Sequence, residues 1–324
     1  MLKAIMYKKY GSPDVLKLQD FNKPKPTDNQ VLVRIHAASV NYGNLVVLKG
    51  KPFLSRFAFG LFKPKYTIPG GDIAGQVEAV GKNVQQFQSG DKVFGDLEPF
   101  GWGGYAEYVA VPEEALVPMP DNISFEEAAA VPMAAVTALQ ALRDKGNIQS
   151  GQKVLIYGAS GGVGTFAVQF AKYFGAEVTG VCSARNIEIL RSIGADHIID
   201  YTKEDFTQKT NKYDLILAVN GYRSIFDYKR ALNPNGTYVM VGGKGVQMAQ
   251  AMVLGPLLTL TGNRKMVSFL QRPNQGDLIF LQELLEQGLI KPVLDRRFKL
   301  EEVPDAFRYF EEGHAKGKIV ITVS

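Results

Sequence analysis

Residues Lys153–Gly164 read KVLIYGASGGVG and run on into the apolar segment TFAVQFA. This stretch predicts a short buried strand, a glycine turn and then a helix. Gly158, Gly161 and Gly164 are spaced G-x-x-G-x-x-G, and glycine permits the positive φ of a tight turn and the close approach of a phosphate. Because the helix directs its N–H groups and positive dipole end at that turn, a pyrophosphate is the expected ligand. Ala159 stands where the strict dinucleotide fingerprint has its first glycine, so the motif alone also allows a turn that serves only packing.

Composition places the chain among ordinary globular proteins. Its 324 residues exceed one typical domain, so two domains are expected, and it is 46% hydrophobic and 21% charged. No apolar run is long enough to span a membrane, and the N-terminal residues read as a strand instead of a signal peptide. A single cysteine, Cys182, excludes intramolecular disulfides and multi-cysteine zinc sites and fits a reducing, cytoplasmic location. The net charge of +5 comes without a dense basic block, so nucleic-acid binding is not expected.

The order of the predicted elements changes along the chain. Residues 1–125 carry short alternating segments, which are typical of a compact, largely antiparallel β domain. Ser124 and Glu127 then have the spacing of a capping box, and an alanine-rich helix should follow with a break at Pro132. From Lys153 onward strands and helices alternate, which predicts a doubly wound parallel sheet. Its strands are expected at Val154–Tyr157, Glu177–Cys182, His197–Asp200, Asp214–Val219, Thr237–Val241 and Lys265–Phe269.

The last part of the chain changes pattern again. A helical leucine stripe over Leu278–Leu285 and a helix over Val303–Phe310 are expected. Strands are expected at Lys291–Val293 and Lys318–Val323. This return to β segments suggests one discontinuous domain with the sheet domain inserted into it.

The end of the second strand of a nucleotide-binding fold decides which cofactor binds, because an acidic side chain there selects NAD. Here that end, Gly180–Asn186, reads GVCSARN and contains no Asp or Glu. A hydroxyl and a guanidinium suit a phosphate, so Ser183 and Arg185 are predicted to contact the 2′-phosphate of NADP(H). The alternative is that Arg185 is a surface residue at a helix start.

Other cofactor contacts follow from the same fold, since the carboxyl ends of parallel strands meet at one edge of the sheet. Tyr201 is expected to stack on the adenine or to cap its pocket. The remaining predicted contacts are Ser160, Gly161, Gly162 and Val163 at the glycine turn, and Asn220, Gly221, Gly242 and Gly243 at the fourth and fifth strands.

Several motifs occur together with the glycine turn. They are YGSPDVL (Tyr10–Leu16), AASVN (Ala37–Asn41), PGGDIAG (Pro69–Gly75), GDKVFG (Gly90–Gly95) and GADH (Gly194–His197). Jointly they resemble the medium-chain dehydrogenase/reductase superfamily over nearly the whole chain, and more narrowly its zinc-free quinone oxidoreductase and enone reductase branch. The resemblance implies an α/β fold in which a doubly wound parallel Rossmann sheet, residues 126–270, is inserted into a β-rich GroES-like catalytic domain, residues 1–125 and 271–324. It also implies NADP(H) as cofactor and a homodimer joined near Lys265–Phe269.

The same resemblance addresses zinc. Zinc alcohol dehydrogenases of the superfamily carry a cysteine where this chain has Asn41, a histidine where it has Gly71, and another cysteine near Met133. The three histidines of this chain lie elsewhere without ligand spacing, so no metal is expected. Without a Lewis acid, alcohol oxidation loses its usual mechanism. The expected reaction is hydride delivery to a quinone or to the β-carbon of an α,β-unsaturated carbonyl.

The resemblance places Asn41 beside the nicotinamide ribose or the substrate, and Thr137 near the same end of the cofactor. An enolate or hydroquinone oxyanion needs a hydrogen-bond donor, so Asn41 and Tyr42 are the candidate catalytic residues. Water or a ribose hydroxyl is the expected proton source. Tyr42 as a core or rim aromatic and Asn41 as a turn residue that bonds the backbone remain alternatives.

Residues Lys51–Lys65, KPFLSRFAFGLFKPK, interleave four phenylalanines with basic residues. Three interpretations compete: a flexible lid over an apolar substrate pocket, which we favour; contact with an anionic membrane surface; and a loop covered by the β domain.

The whole chain is interpreted as an NADPH-dependent, metal-independent reductase of quinones or activated alkenes. The alternative is an NADPH-binding sensor, or a membrane-associated or partner-binding protein, with little turnover.

Overall fold

The computed structural model describes residues 2–208 and 212–323. Its strands are β1 (Leu2–Met6), β2 (Lys17–Phe21), β3 (Gln30–Ser39), β4 (Asp72–Val80), β5 (Lys92–Asp96), β6 (Tyr108–Pro112), β7 (Leu116–Pro118), β8 (Lys153–Tyr157), β9 (Glu177–Cys182), β10 (His197–Asp200), β11 (Tyr213–Ala218), β12 (Leu232–Met240), β13 (Lys265–Ser268), β14 (Leu294–Lys299) and β15 (Lys318–Thr322). Its α-helices are α1 (Tyr42–Lys49), α2 (Arg56–Phe59), α3 (Phe125–Ala129), α4 (Pro132–Gln140), α5 (Gly162–Tyr173), α6 (Ile187–Ser192), α7 (Ile225–Ala231), α8 (Gly245–Leu260), α9 (Gln275–Glu286) and α10 (Val303–Glu311). A π-helical turn, Ala141–Lys145, continues α4, and short 3-10 helices include Phe53–Ser55, Glu98–Phe100 and Ala184–Asn186.

The chain divides into two compact units. Met1–Ala134 and Pro273–Ser324 make up the first unit, and Ala135–Arg272 the second. The first unit is therefore discontinuous in sequence, and the division falls within α4.

The first unit is built on a seven-stranded sheet with the order β14-β15-β3-β4-β5-β7, in which β6 also pairs with β3. Its pairs are antiparallel except for β14 and β15, which run parallel. In β3 the apolar residues Val33 and Ile35 are buried on either side of the exposed Arg34, as the alternation predicts. The core of this unit also contains Phe307 of α10 and Ile321 of β15, so the C-terminal segment completes the N-terminal domain.

The strand predicted at Lys291–Val293 is wrong, since the ladder with β15 begins at Leu294. Pro292 has no N–H for a sheet ladder. The true strand, β14, lies at the sheet edge and reads LDRRFK. Edge strands tolerate polar residues on both faces, so no apolar pattern marked it in the sequence.

The second unit contains one parallel sheet with the order β10-β9-β8-β11-β12-β13. Numbered within the unit this is 3-2-1-4-5-6, the doubly wound order that the alternating strands and helices predict. Tyr157 at the end of β8 pairs with Val181 on one side and with Ala218 on the other. The carboxyl ends of the strands therefore meet at one edge, where β8 and β11 form the switch point at which such folds bind ligands.

The helix start predicted at Ser124 is confirmed. Ser124 N donates to Glu127 Oε2 at 2.9 Å, and Glu127 N donates to Ser124 Oγ at 3.2 Å. This capping box begins α3, and the predicted break is confirmed because α4 begins at Pro132.

Candidate active site

The glycine turn joins β8 to α5. Gly158 has φ +85°, and a Cβ there would lie 2.8 Å from Asn220 N. A Cβ on Gly164 would lie 2.2 Å from Gly158 O, so α5 crosses the strand end too closely for any side chain. At Gly161 the nearest described atom to an added Cβ is Gly158 O, at 3.7 Å. Gly158 and Gly164 thus serve the turn itself, whereas Gly161 leaves room in front of the helix.

The N-terminus of α5 is open to a ligand. Gly161 is its N-cap, and no side chain among the described residues caps it. The turn is held against β9, because Gly158 N and Ala159 N donate to Val181 O at 3.2 and 3.1 Å. The first N–H groups of a helix need partners, so this uncapped end is suited to an anion.

The turn after β9 lies beside the glycine turn. Ser183 occupies the N-cap position of the 3-10 helix Ala184–Asn186, and Arg185 is exposed. Asn186, which the sequence analysis missed, is 5% exposed, and its Nδ2 donates to Ser160 Oγ at 2.8 Å and to Ser183 Oγ at 3.5 Å. Its Oδ1 is buried with no hydrogen-bond partner in the described part of the chain. Asn186 therefore joins the two turns and offers a free acceptor; a polar residue opening an amphipathic helix was its only sequence signal.

The end of β10 completes this side of the site. Tyr201 is 51% exposed, and its N–H donates to Cys182 O at 3.1 Å, which places it next to the Ser183 turn. Asp200 accepts from Thr202 Oγ1 at 2.7 Å and from Thr202 N at 3.0 Å, and these bonds lower the pKa of its carboxyl. Burial, with the charge of Asp200, raises the pKa of the Cys182 thiol to about 11.

The loops after β11 and β12 are joined by a buried glutamine of α8. Gln247 is 1% exposed; its Nε2 donates to Gly242 O at 2.7 Å, and its Oε1 accepts from Arg223 N at 3.1 Å and from Tyr228 OH at 3.0 Å. Lys244 N also donates to Gly221 O at 2.9 Å. These bonds bring four predicted residues together at the carboxyl edge of the sheet: Asn220, Gly221, Gly242 and Gly243.

Thr137 lies in α4 within the second unit. It is 9% exposed, and its Oγ1 donates to Gln271 Oε1 at 3.0 Å. A second pair of bonds runs beside it, from Gln140 Nε2 to Arg272 O at 2.8 Å and from Arg272 N to Gln140 Oε1 at 3.0 Å. The Thr137 hydroxyl thus helps to tie α4 to the last residues of this unit.

The two predicted catalytic residues, Asn41 and Tyr42, belong to the first unit. Asn41 is 6% exposed; its Nδ2 donates to Asp72 Oδ2 at 2.8 Å, and its Oδ1 accepts from Lys318 Nζ. Ser39 Oγ also donates to Asp72 Oδ2, at 3.0 Å, and Met133 N donates to Asp72 Oδ1 at 3.1 Å. Both ends of the Asn41 carboxamide are therefore engaged inside the protein.

Tyr42 is placed differently from Asn41. It is the first residue of α1 and is 58% exposed. Tyr42 is therefore not a core aromatic, and its hydroxyl lies on a side chain that solvent and ligands can reach.

Buried charge surrounds Asn41. Burial raises the pKa of Asp72 and lowers that of Lys318, while their mutual attraction opposes both shifts. Burial and the neighbouring carboxylates Asp72 and Glu98 raise the pKa of Asp96 well above its ordinary value. Burial, together with the charge of Asp72, raises the pKa of Glu98 to about 7. The pKa of Glu98, at about 7, lies near neutral pH.

Two glycines lie close to Glu98. A Cβ on Gly43 would lie 3.1 Å from Met133 Cε and 3.7 Å from Glu98 Oε1, and a Cβ on Gly71 would lie 3.6 Å from Asp96 Oδ1 and 3.8 Å from Glu98 Cβ. By the resemblance described above, Gly71 stands where zinc alcohol dehydrogenases of the superfamily carry a histidine. Within residues 2–208 and 212–323, no group of three or more His, Cys, Asp and Glu side chains is placed to hold a metal ion.

Asp72, Glu98 and Lys318 are not among the site residues predicted from the sequence. The available signal was a charged residue inside an apolar strand pattern, at Asp72 in GGDIAG and at Lys318 in GKIVIT. Charges are rarely buried unless they are paired. Glu98 carried no such signal, because it lies in a short 3-10 helix outside the strands.

Residues Lys51–Lys65 contain the 3-10 helix Phe53–Ser55 and α2. Phe59 packs against the core of the first unit, but Phe53, Phe57 and Phe62 are exposed. The interpretation of this segment as a loop covered by the β domain is therefore wrong for these three phenylalanines. No helix in the described ranges is both long and apolar enough to cross a membrane.

Comparison with known proteins agrees with these features. Residues 27–121 match the model of the alcohol dehydrogenase GroES-like domain, and residues 193–321 match the model of zinc-binding dehydrogenases. The chain is 38% identical to 2-methylene-furan-3-one reductase of Solanum lycopersicum and 34% identical to the chloroplastic NADPH-dependent alkenal/one oxidoreductase of Arabidopsis thaliana; each match covers 99% of this chain and 79% of the relative. The solved structure of the quinone oxidoreductase from Coxiella burnetii is 31% identical, with a TM-score of 0.88 over 100% of this chain and 99% of that one. The chain therefore belongs to the medium-chain dehydrogenase/reductase superfamily, in its quinone oxidoreductase and enone reductase branch.

Proposed function

We propose that this protein transfers hydride from NADPH to a quinone or to the β-carbon of an α,β-unsaturated carbonyl, by a metal-independent reaction. The observation that carries the proposal is the carboxyl edge of the parallel sheet, where the uncapped start of α5 lies beside a turn with Ser183 and Arg185 and no acid. The relatives support it, since two are named as reductases of 2-methylene-furan-3-one and of alkenals and enones, and the solved structure is named a quinone oxidoreductase.

The second unit fits NADP(H). Gly161 leaves room for a pyrophosphate, which Ser160, Gly161, Gly162 and Val163 would hold, and the buried Asn186 Oδ1 can accept a hydrogen bond from a ligand. Ser183 and Arg185 would hold the 2′-phosphate, because a guanidinium grips phosphate in two-point geometry. When bound, the cofactor supplies the hydride. The other proposed contacts are Asn41, Thr137, Tyr201, Asn220, Gly242 and Gly243.

In the first unit we propose distinct roles for three residues. Asn41 presents a side chain of fixed orientation to the cofactor, because Asp72 and Lys318 hold both ends of its carboxamide. Tyr42, which is exposed at the start of α1, donates a hydrogen bond to the acceptor oxygen. Glu98 in its protonated form gives a proton to the enolate or hydroquinone anion, forming the new C–H or O–H bond, and recovers a proton from water. The substrate domain is proposed to be residues 1–125 with 271–324, and the cofactor domain residues 126–270.

Consumption of NADPH with benzoquinone-type and enone acceptors, with and without a chelator, tests the function. We expect turnover that the chelator leaves unchanged. Oxidation of simple alcohols with no turnover on these acceptors would exclude the proposal. Tight NADPH binding without turnover on a broad acceptor panel would instead favour the sensor or partner-binding alternative.

The role of Glu98 has its own test. For the wild type, kcat with an enone should fall as the pH rises through about 7, the pKa of Glu98, because the protonated form is the donor. In Glu98→Gln this pH dependence should disappear, and kcat should fall by roughly 100-fold or more, the lower range for removing a general acid. An unchanged pH profile in the variant would assign the proton to another source.

We also propose a homodimer joined at β13. In the described part of the chain β13 has β12 as its sheet partner and lies at the edge, and Leu260 and Leu270 beside it in sequence are 82% and 86% exposed. An edge strand has unpaired backbone N–H and C=O groups, which can pair with the same strand of a second copy. Light scattering that shows a monomer at all protein concentrations would exclude the dimer.

For location we propose the cytoplasm. The buried thiol of Cys182 is compatible with a reducing compartment. Because the Arabidopsis relative is named chloroplastic, fractionation of the native cell is the deciding measurement.

A further inference from the structure

Residues Lys51–Lys65 present large apolar side chains to solvent. Phe53 is 60% exposed, Leu54 74%, Phe57 70% and Phe62 90%. We call these four side chains the exposed patch. Burying apolar side chains of this size is favourable, so a surface that covers the patch gains binding energy from each of them.

The exposed patch stands on a fixed base. Tyr10 OH donates to Phe59 O at 3.0 Å, and Arg56 Nε donates to Gly50 O at 3.1 Å. The Arg56 guanidinium also lies 4.5 Å from the centre of the Tyr10 ring, and Phe59 packs on the core of the first unit. Arg56 and Phe59 thus hold the inner side of α2, while Phe57 between them faces outward.

Positive charge surrounds the exposed patch. Lys51, Lys63 and Lys65 are exposed at its two ends. The sequence contains no Asp or Glu between Asp28 and Asp72, and Asp72 is fully buried. A ligand surface that complements the segment is therefore anionic at its rim and apolar beneath.

We propose that residues Lys51–Lys65 dock on the surface of an anionic lipid bilayer. The exposed patch enters the boundary between headgroups and acyl chains, and the lysines lie at the lipid phosphates. A lipid boundary suits this segment better than a protein groove does. Groove recognition uses regular helix or strand spacing, whereas α2 here has only four residues.

Co-sedimentation of the full-length protein with vesicles tests the docking, without cofactor or acceptor. We expect binding to vesicles of equal parts phosphatidylcholine and phosphatidylglycerol at low salt, and little binding to phosphatidylcholine alone or at high salt. Because turnover is not measured, failure of the proposed reductase activity leaves this result unaffected. Absence of binding to the anionic vesicles at low salt overturns the proposal.

Variants assign the binding to this segment. Phe57→Ser combined with Phe62→Ser keeps the charge and should weaken binding at least tenfold, whereas Phe226→Ser, at a site 49% exposed in the second unit, should not change it. Lys63→Gln combined with Lys65→Gln should also weaken it roughly tenfold or more, since both lysines are attracted to an anionic surface. The exposed pair Lys145→Gln and Lys203→Gln is the charge control. Equal binding by the Phe57/Phe62 variant and the wild type would overturn the proposal.

A spectroscopic readout reports insertion directly. Trp102, the single native tryptophan, is buried, so Phe57→Trp adds a tryptophan that reports on the segment. We expect a blue shift of its emission on adding anionic vesicles and none with neutral ones. If the Phe57→Ser/Phe62→Ser variant instead shows a raised KM for acceptors while the wild type binds no vesicles, the segment is a lid and the docking proposal is wrong.

Discussion

Lys318 Nζ lies 3.6 Å from Asp72 Oδ2, and the two side chains are 3% and 0% exposed. Removing two charges from water costs several kcal/mol each, and only close pairing with further hydrogen bonds offsets that cost. Here Asn41 supplies those bonds, because it donates to Asp72 and accepts from Lys318. The buried pair therefore holds the orientation of the Asn41 carboxamide.

Replacement of Lys318 by methionine should be strongly destabilising. The change leaves the Asp72 carboxylate buried without its partner and removes the donor to Asn41 Oδ1. We expect the free energy of unfolding to fall by about 3–5 kcal/mol. Urea denaturation measures it, with Lys9→Met as the exposed control. A loss below about 1 kcal/mol would contradict the pairing.

Glu98→Gln should alter the dependence of stability on pH. The folded pKa of about 7 exceeds the ordinary 4.5, so the folded state holds a proton that the unfolded state releases. Stability linked to Glu98 is therefore fully present below pH 4.5 and is lost as the pH rises to about 7. Above that pH the glutamine variant should be more stable than the wild type by on the order of 3 kcal/mol. Urea denaturation at several pH values checks this, and an equal stability difference at pH 4 and pH 8 would refute it.

Two alanine substitutions in the glycine turn should have different effects. Gly164→Ala places a Cβ 2.2 Å from Gly158 O and should destabilise the protein by about 1–3 kcal/mol. In Gly161→Ala the added Cβ would lie 3.7 Å from Gly158 O, its nearest described atom, so the free energy of unfolding should change by less than about 0.5 kcal/mol. Because that methyl group occupies the room in front of α5, affinity for NADPH should still fall. Thermal unfolding measures the effect on stability, and fluorescence titration measures the affinity for NADPH. Normal NADPH binding by Gly161→Ala would show that the pyrophosphate does not bind at this turn.

Arg185→Ala tests the selectivity for the 2′-phosphate. Loss of a charge-assisted hydrogen bond of about 1.5–3 kcal/mol should weaken NADPH binding roughly 10- to 100-fold. Binding of NADH, which lacks the phosphate, should not change. Arg191→Ala, at another exposed arginine of the same unit, is the matched control. A parallel loss for both cofactors would mean that Arg185 acts on the fold and not on the phosphate.

Cys182 should be unreactive in the native protein, which matters for an enzyme proposed to use electrophilic substrates. The thiol is 2% exposed, and its pKa of about 11 keeps it protonated at neutral pH. Its reaction with a disulfide reagent at pH 8 should be at least about 100-fold slower in the folded chain than in urea. Rapid labelling of the folded wild type, absent in Cys182→Ala, would show that the Cys182 thiol is not buried.

More of the second unit than of the first could be predicted from the sequence. In the second unit the motifs are local: glycine spacing, apolar strand runs and the missing acid after β9 can each be read from a few adjacent residues. In the first unit β14 was misplaced, because an edge strand carries no apolar pattern. The partners of Asn41 were missed as well, since Asp72 and Lys318 lie 31 and 277 residues away along the chain.

The sequence by itself determined the doubly wound sheet and the position of the glycine turn, because both depend on local backbone geometry and on the period of apolar residues. Only the tertiary structure decided the pKa shifts around Asn41. Burial and proximity set the pKa values of Asp72, Glu98 and Lys318, and distant segments of the chain create both. The tertiary structure also decided that the phenylalanines of Lys51–Lys65 divide into an anchored Phe59 and an exposed patch, a division that the interleaved sequence does not reveal.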